Sequence, residues 1–365
     1  MTTLTQDFNF PVLLLNFCLE TRKILEHGGK LIAASLKYGI PLDQWIDLST
    51  GVSPVSYPVP VLDQDIWRRL PEEQDGLHEA AAAYYGADSL LPVNGSQAAI
   101  KALPALRAKS VVGILHPSYN EHSHAWLQSR HEVIMIAHDE LEAAAERVDV
   151  LVVCNPNNPT AEFVSSHLLK SCLHKLTERG GWLVVDEAFI DYNPSESMTK
   201  HADLPGLIVL RSLGKFFGLA GARVGFVFAE PSLLSSLSEY LGPWTVSGPS
   251  RKVALLALLD TEWQVNQRQF LRKSSERLSM TLRRSGLIPT GSSAYFSWVV
   301  RNDADTIHGK LAERGILTRC FADPPSVRFG LPLLELEWTR LESALVFCIN
   351  DGVKTRATRP SAFVG

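Results

Sequence analysis

Two apolar runs flank a single lysine in LIVLRSLGKFFGLAGARVGFVFA, residues 207–229, and this stretch decides the fold. Continuous runs of branched and aromatic residues are typical of strands buried on both faces. Lys215 lies just after the end of the first run, with Ser212 three residues before it and Arg223 eight residues after it. A lysine in an apolar stretch with few nearby carboxylates tends to have a lowered pKa, which favours imine formation. Alone, such a lysine is more often a surface residue; Ser212 and Arg223, at spacings that suit a phosphate, favour a binding site.

Outward from this stretch, helices alternate with short apolar strands between about residues 75 and 230. The pattern predicts helices over Ala80–Tyr85, Ser96–Ala108, His122–Ser129 and Ser165–Arg179, and strands over Val111–Leu115, Val133–Ala137, Val150–Cys154, Trp182–Asp186, Leu207–Arg211 and Val224–Ala229. Strands of this kind, separated by helices, predict an α/β fold with a mainly parallel central sheet. In such sheets the ligand site lies beyond the carboxyl ends of the strands.

After Pro243 the pattern changes to a long helical stretch, Ser250–Arg284, followed by strands near Ala294–Val300 and Ser326–Phe329 with a helix between them. This predicts a second, smaller α+β domain. The expected organisation is an N-terminal extension (1–24), a segment that joins the small domain (25–45), a large domain (46–243), the small domain (244–350) and a flexible tail (351–365).

The composition is that of an ordinary globular enzyme, with 45% apolar and 20% charged residues among 365. A net charge of −4 gives no sign of a nucleic-acid partner. The five cysteines form no C-x-x-C pair, which argues against a disulfide framework and a zinc site and suits a reducing cytoplasm. The apolar run FPVLLLNFCL, residues 10–19, lacks the flanks of a signal peptide and is too short to cross a membrane, so we interpret it as an extension or packing segment.

Polar residues follow several of the predicted strands. Asp186 ends the strand of WLVVDEAF, residues 182–189, where it either caps the next turn or serves a site. Glu187 follows directly and is a competing carboxylate; the alternation along the strand favours Asp186. The rigid turn NPNNPT, residues 155–160, follows the Val150–Cys154 strand and carries Asn158. Asn/Pro-rich turns are common loop punctuation, but two Asn-Pro pairs at the end of a strand are much less common.

Two further features suit an anionic, aromatic ligand. NGSQ, residues 94–97, opens a predicted helix, and the backbone N–H groups around Gly95, Ser96 and Gln97 would cradle an anion, although a Gly-Ser start is also ordinary capping. Tyr119, in HPSY, comes past another strand and either stacks on a ligand ring or belongs to the core.

In this order, the turn NPNNPT, the strand end DEAF and the spacing Ser212, Lys215, Arg223 resemble the class I/II (fold type I) pyridoxal-5'-phosphate (PLP) aminotransferases. Such a cofactor requires a lysine for the imine, a carboxylate for the ring nitrogen, a donor for the phenolic oxygen and several groups for the phosphate. The resemblance implies the following assignment: Lys215 as the catalytic Schiff-base lysine, Asp186 on the ring nitrogen, Asn158 on the phenolic oxygen, Tyr119 on the ring face, and Gly95, Ser96, Gln97, Ser212 and Arg223 around the phosphate.

Within that family the chain resembles the threonine-phosphate decarboxylases of cobalamin biosynthesis, with the histidinol-phosphate aminotransferases as near relatives. The resemblance is carried by HGG (27–29), DLSTGVSP (47–54), LPE (70–72), DGL (75–77) and Phe189, where many aminotransferases have tyrosine. It implies a phosphorylated amino acid as substrate, with Arg328 on its carboxylate, Arg319 on its phosphate or carboxylate, His27 on its phosphate, and Gly51 beside it. Decarboxylation and transamination both remain open, because the sequence does not fix the angle at which a substrate bond meets the cofactor ring.

The sequence also departs from the family pattern. Ala161 stands where the turn usually ends in glycine, and Lys30 stands where asparagine is common. Leu70 stands where relatives often place a tyrosine that reaches the partner subunit, although a cytoplasmic homodimer is still what the resemblance implies. A non-catalytic protein that keeps the fold is a further alternative, and the presence of Lys215, Asp186 and Asn158 argues against it.

Overall fold

The structure, a computed structural model, describes residues 27–356. The predicted extension 1–24, with its apolar run 10–19, lies outside the described residues, as does the part of the predicted tail at 357–365. No helix within the described range is both long enough and apolar enough to cross a membrane.

Thirteen strands and twelve helices form the described part of the chain. The strands are β1 Ile46–Asp47, β2 Leu90–Val93, β3 Val111–Leu115, β4 Glu132–Ile136, β5 Val150–Cys154, β6 Trp182–Asp186, β7 Leu207–Ser212, β8 Gly225–Phe228, β9 Gly291–Ser292, β10 Phe296–Val300, β11 Ile316–Leu317, β12 Arg319–Ala322 and β13 Pro325–Gly330. The helices are α1 Leu31–Tyr38, α2 Asp65–Arg68, α3 Leu77–Tyr85, α4 Ser96–Ala102, α5 Asn120–Gln128, α6 Leu141–Ala144, α7 Ser166–Thr177, α8 Pro231–Leu241, α9 Gly248–Leu259, α10 Thr261–Arg284, α11 Ala304–Ala312 and α12 Glu335–Arg356.

A seven-stranded sheet in the order β2-β8-β7-β6-β5-β3-β4 forms the centre of the fold. The five strands β3 to β7 run parallel, and only β8 and β2 introduce antiparallel pairs. The prediction of an α/β fold with a mainly parallel sheet is therefore confirmed. Helices cover both faces, which is why β5 and β7 are buried along their whole length.

Successive residues of the central strands pack into two different hydrophobic clusters. Leu151 and Val153 of β5 belong to one cluster, whereas Val150 and Val152 belong to the other. This is the two-residue period of a strand that is buried on both faces. It also decides the face to which each polar residue at a strand end belongs.

The last third of the chain forms a separate antiparallel sheet in the order β12-β13-β10-β9. Strand β1 pairs in parallel with β11 of this region, with Ile46 opposite Ile316. Trp45 packs in a small cluster with Ala312 and Leu317. The segment around residues 45–47 thus contacts the C-terminal region, while the predicted domain boundaries themselves stay a prediction.

Several element boundaries were predicted wrongly. The helix expected to reach Ala108 ends at Ala102 and passes into a short 3-10 turn that contains Pro104, since proline cannot donate to a continuing helix. The single helix expected over 250–284 is broken at Asp260, whose side chain accepts a hydrogen bond from Trp263 N at 3.0 Å and caps α10. Helix α12 continues to Arg356, so residues 351–356 are not part of a tail.

Several elements were not predicted from the sequence, and β2 and α8 are two examples within the predicted large domain. Strand β2 is four residues long and contains a proline, so its pattern is weak. Helix α8 begins at Pro231 in its first turn, a start signal that could have been recognised.

The turn that carries Asn158 ends in a strained residue. Ala161 has φ 63°, the left-handed conformation that glycine adopts without strain. The backbone there cannot simply relax, because a Cβ on the neighbouring Gly291 would lie 1.8 Å from Thr160 O. An alanine in this conformation costs about 1–2 kcal/mol.

We expect Ala161→Gly to raise the free energy of unfolding by about 0.5–1 kcal/mol, since relief of strain exceeds the extra backbone entropy of glycine. Denaturant unfolding measures this change. Ala33→Gly, at an exposed position of α1, is the matched control and should lower the free energy of unfolding by about 1 kcal/mol. Equal losses in both variants would show that Ala161 is not strained.

Candidate active site

A cavity of about 320 Å³ lies beyond the carboxyl ends of β5, β6 and β7. Eleven of the thirteen predicted site residues line it: His27, Gly51, Ser96, Gln97, Tyr119, Asn158, Asp186, Ser212, Lys215, Arg223 and Arg328. Gly95 directly precedes the lining residue Ser96, and Arg319 pairs with Arg328 across two antiparallel strands. The structure therefore brings together residues from both regions of the chain, as a ligand site requires.

Strand alternation explains why three polar side chains meet at this edge. Cys154 and Asp186 lie opposite each other in the register of β5 and β6. Each lies two residues after a valine, Val152 or Val184, and therefore projects to the same face of the sheet; the two valines belong to one hydrophobic cluster. Ser212, the last residue of β7, projects to the same face as Leu210, which belongs to that cluster. The three side chains consequently project from one face of the sheet into the cavity.

Asp186 is held by two hydrogen bonds. Its Oδ1 accepts from Ala188 N at 3.1 Å, and its Oδ2 lies 2.9 Å from His122 Nε2. Burial alone would lower the pKa of His122, but the adjacent Cys154 and Asp186 raise it to about 10. The histidine therefore donates to Asp186 as a cation. An ionised, buried carboxylate is the group that can hold a protonated ring nitrogen.

His122, Cys154 and Asp186 also have donor atoms within 4.8 Å of one another, a spacing at which a metal ion could be held. Two of these donors, His122 and Asp186, already share a hydrogen bond, however, and Cys154 and Asp186 line the cavity. The arrangement suits the floor of an organic ligand site. Neither His122 nor Cys154 was singled out from the sequence, because no local pattern marks them.

The competing carboxylate, Glu187, points to the opposite side of the sheet. Its Oε2 lies 3.2 Å from Arg211 Nη1, and its Oε1 accepts from Met198 N at 2.7 Å. Arg211 is further paired with Asp191 at 2.7 Å, and all three side chains are buried. Glu187 thus belongs to an internal ion-pair network, and only Asp186 of the two lines the cavity.

Lys215 is half-buried and lines the cavity, with its Nζ 5.6 Å from the centre of the Phe189 ring. Burial lowers its pKa to about 8, and the positive charge of Arg328 acts in the same direction against the opposing effect of Asp186. A substantial fraction of the amine is consequently neutral near pH 8, as a nucleophilic lysine requires.

The loop that carries Lys215 is anchored by a residue that the sequence did not reveal. Gln267 of α10 donates from Nε2 to Phe216 O at 2.8 Å and to Ser53 Oγ at 2.6 Å. Ser53 N in turn donates to Lys215 O at 3.0 Å. The lysine loop, the loop after β1 and the long helix are therefore joined at one buried amide.

At one end of the cavity the backbone leaves room for a phosphate. Ser96, Gln97, Ser212 and Arg223 line this end. A Cβ on Gly95 would lie 2.6 Å from Arg223 Nη2, and a Cβ on Gly225 would lie 2.5 Å from Ser96 N. The two glycines are thus needed for the close approach of the guanidinium and the helix start. A cradle of hydroxyl, amide and guanidinium donors fits the phosphate of PLP.

The other end of the cavity is built around Arg328. Its Nη2 donates to Ser49 O at 2.9 Å, its Nη1 donates to Asn158 Oδ1, and its buried Nε has no partner. Burial, and next the charge of Arg319, lower the pKa of Arg328 to about 10. Arg328 lines this end of the cavity, and Arg319 stands opposite it on the adjacent strand; two neighbouring guanidinium groups suit a ligand with more than one negative charge.

His27 and Tyr119 complete the rim. Their ring centres are 6.3 Å apart. His27 Nε2 lies 2.8 Å from Glu121 Oε1, and Tyr119 Oη donates to Gln97 Oε1 at 3.2 Å. Glu121 is a further site residue that sequence reasoning missed, since a carboxylate in the first turn of a helix is ordinary.

Comparisons with known proteins agree with this geometry. The family model "Aminotransferase class I and II" matches residues 64–340. The chain is 51% identical over 323 residues to a threonine-phosphate decarboxylase of Pseudomonas aeruginosa, covering 88% of this chain and 98% of that protein.

Among solved structures, the fold resembles an L-threonine-O-3-phosphate decarboxylase from Porphyromonas gingivalis, with a TM-score of 0.73, 20% identity and coverage of 83% of this chain and 99% of that one. It also resembles a histidinol-phosphate aminotransferase from Sinorhizobium meliloti in complex with pyridoxal-5'-phosphate, with a TM-score of 0.78, 20% identity and coverage of 91% and 100%.

Proposed function

This chain belongs to the class I and II aminotransferase family, and from that premise we infer that it is a PLP-dependent decarboxylase of L-threonine O-3-phosphate. The product is (R)-1-amino-2-propanol O-2-phosphate. The observation that carries this function is one cavity in which Lys215 lies between the cradle around Arg223 and the cationic end around Arg328. A threonine-phosphate decarboxylase that is 51% identical matches this chain over nearly its whole length, which supports the same function here.

When bound, PLP supplies a ring that withdraws electrons from the substrate's α-carbon. We assign Ser96, Gln97, Ser212 and Arg223 to its phosphate. Asp186, with His122 behind it, holds the proton on the ring nitrogen. The amide nitrogen of Asn158 is the donor for the phenolic oxygen, since its Oδ1 accepts from Arg328.

The substrate's two anionic groups need separate partners. Arg328 is placed to bind the carboxylate, the group that leaves as CO2. Arg319 and His27 are assigned to the substrate phosphate, and Gly51 makes room beside them because a Cβ there would lie 2.8 Å from the Phe189 ring. Remote phosphate binding of this kind fixes the orientation of the reacting end.

Lys215 is the group placed to move a proton. Loss of CO2 leaves an electron pair on the α-carbon, and one proton must be added there to give the amine product. Because burial lowers its pKa to about 8, Lys215 can hold that proton and release it near neutral pH. Phe189 and Phe296 flank the site with apolar surface that excludes water.

Purified protein incubated with L-threonine O-3-phosphate should release CO2 in amounts equal to the amine phosphate formed, with no 2-oxo acid. The alternative is an aminotransferase, which Lys215 would also serve as the base that removes the α-proton. Incubation with histidinol phosphate and a 2-oxo acid acceptor tests it. Pyridoxamine phosphate formation without CO2 release would replace the decarboxylase by the aminotransferase.

We further propose a cytoplasmic homodimer that acts in cobalamin biosynthesis. The support for a subunit contact is a set of exposed apolar side chains in one segment, namely Val61, Trp67 and Leu70, which are 101%, 69% and 63% exposed. Exposed apolar residues grouped in this way are typical of interfaces. We expect analytical ultracentrifugation of the purified protein to give twice the mass of one chain.

A further inference from the structure

Glu121 is a buried carboxylate that contacts two residues lining the cavity, His27 and Gln97, which we assign to the substrate phosphate and the cofactor phosphate. It lies in the first turn of α5, and its side chain is 11% exposed. Oε1 lies 2.8 Å from His27 Nε2, while Oε2 accepts from Gln97 Nε2 at 2.6 Å. The other atom of the Gln97 amide, Oε1, accepts from Tyr119 Oη at 3.2 Å. One carboxylate thereby connects a residue before α1, the start of α4 and the aromatic side chain on the cavity wall.

A carboxylate near a helix start is often explained by the helix dipole alone. Here that explanation accounts for the position of the side chain but not for its partners. One carboxylate oxygen contacts His27 and the other accepts from Gln97, and neither bonds to the backbone of α5. The partners are two residues that line the cavity.

We propose that Glu121 is a positioning residue that holds His27 and Gln97 at once and so couples substrate-phosphate binding to cofactor-phosphate binding. This inference rests on the proposed function for its substrate half. Its cofactor half depends only on PLP binding at the Ser96–Arg223 cradle.

The chain around His27 shows why a positioning residue is needed there. His27 is 45% exposed, so packing alone does not fix its ring. The backbone after it is fixed: Gly29 N donates to Ser49 Oγ at 2.7 Å, and a Cβ on Gly28 would lie 2.3 Å from Ser49 O. The hydrogen bond of Nε2 to Glu121 fixes the remaining freedom, the rotation of the ring, and leaves Nδ1 for a ligand.

Gln97 is held in a similar way. Its side-chain amide could rotate, but its Nε2 donates a hydrogen bond to Glu121 Oε2 and its Oε1 accepts one from Tyr119 Oη. The amide orientation is thus determined by its two neighbours. Removing the carboxylate frees both His27 and Gln97, so binding of the substrate phosphate and of the cofactor phosphate should weaken together.

The isosteric variant Glu121→Gln tests this inference, with three constants measured on the PLP-loaded or PLP-titrated full-length protein. We expect KM for L-threonine O-3-phosphate to rise about tenfold and the Kd of PLP, followed by fluorescence quenching of the apoprotein, to rise about three- to tenfold. The kcat should stay within about threefold, because Glu121 does not contact the reacting atoms.

Two further variants separate coupling from local damage. His27→Ala should raise KM without changing the Kd of PLP, and the double variant should have the KM of Glu121→Gln alone, within about threefold. Glu146→Gln, at an exposed carboxylate paired with Lys175, is the matched control and should leave every constant unchanged.

Unchanged KM and Kd in Glu121→Gln would overturn the inference, as would independent, multiplying effects of the two substitutions. A fall in KM would also overturn it, since it would show that the carboxylate only repels the substrate phosphate. If the unmodified protein releases no CO2 from threonine phosphate, the proposed function fails, and the Kd of PLP alone then decides on Glu121.

Discussion

Replacement of Lys215 by alanine is expected to lower kcat for CO2 release by about 10³-fold or more and to remove the visible absorption of the bound cofactor. Lys215 carries the only primary amine among the described residues that line the cavity, and an amine is the group that forms an imine with an aldehyde. The same group is assigned the proton that is added after CO2 leaves, so two functions are lost together. Absorption and CO2 assays measure the change. Lys175→Ala, at a partly exposed ion pair, is the control that should retain both signals.

The pH at which apoprotein takes up PLP should report the same lysine. Only the neutral amine can attack the cofactor aldehyde, and burial lowers the pKa of Lys215 to about 8. The rate of uptake should therefore rise with pH through about 8 and level off above it. A rate that still climbs toward the usual range of lysine near 10.4 would contradict a buried, activated amine. Retention of the visible band in Lys215→Ala would refute the assignment itself.

Asp186→Asn should lower kcat by about 10²- to 10³-fold while the protein stays folded. The neutral amide keeps the shape of the side chain but cannot hold a proton on the ring nitrogen, so the charge that develops there loses its partner. His122 loses an anionic neighbour as well, which removes one of the two causes that raise its pKa. The measurements are steady-state kinetics and the melting temperature.

The adjacent carboxylate provides the control for this experiment. Glu187→Gln should lower the free energy of unfolding by about 3 kcal/mol, because it leaves part of the buried charge of Arg211 unpaired. Its kcat per folded molecule should change little, since Glu187 faces away from the cavity. A large loss of kcat in Glu187→Gln together with an active Asp186→Asn would reverse the two assignments.

Much of the candidate site follows from local sequence patterns. The strand that ends at Asp186 is a run of apolar residues, and the residue after such a strand lies at the carboxyl edge of a parallel sheet whatever the rest of the chain does. The same reasoning places Asn158, Ser212 and Lys215 at that edge. Only short-range periodicity is needed for these predictions, because the two-residue repeat of a strand is a local property.

Element ends were less well predicted, and for local reasons too. Asp260 interrupts a continuous helical pattern because its side chain caps the following helix, which the apolar periodicity does not register. Pro104 is a second such signal, because proline has no N–H to donate to a continuing helix. The apolar periodicity by itself therefore overestimates how far a helix continues.

The sequence by itself determined the fold class, the edge of the sheet that holds the site and the lysine at its centre. Only the tertiary structure decided that Glu187 pairs with Arg211 in a buried network, that Gln267 anchors the lysine loop, and that Glu121 contacts both His27 and Gln97. The physical reason is the range of the interactions. Strand periodicity acts between neighbours in the chain, whereas a hydrogen bond depends on distances that only the packing of distant segments sets.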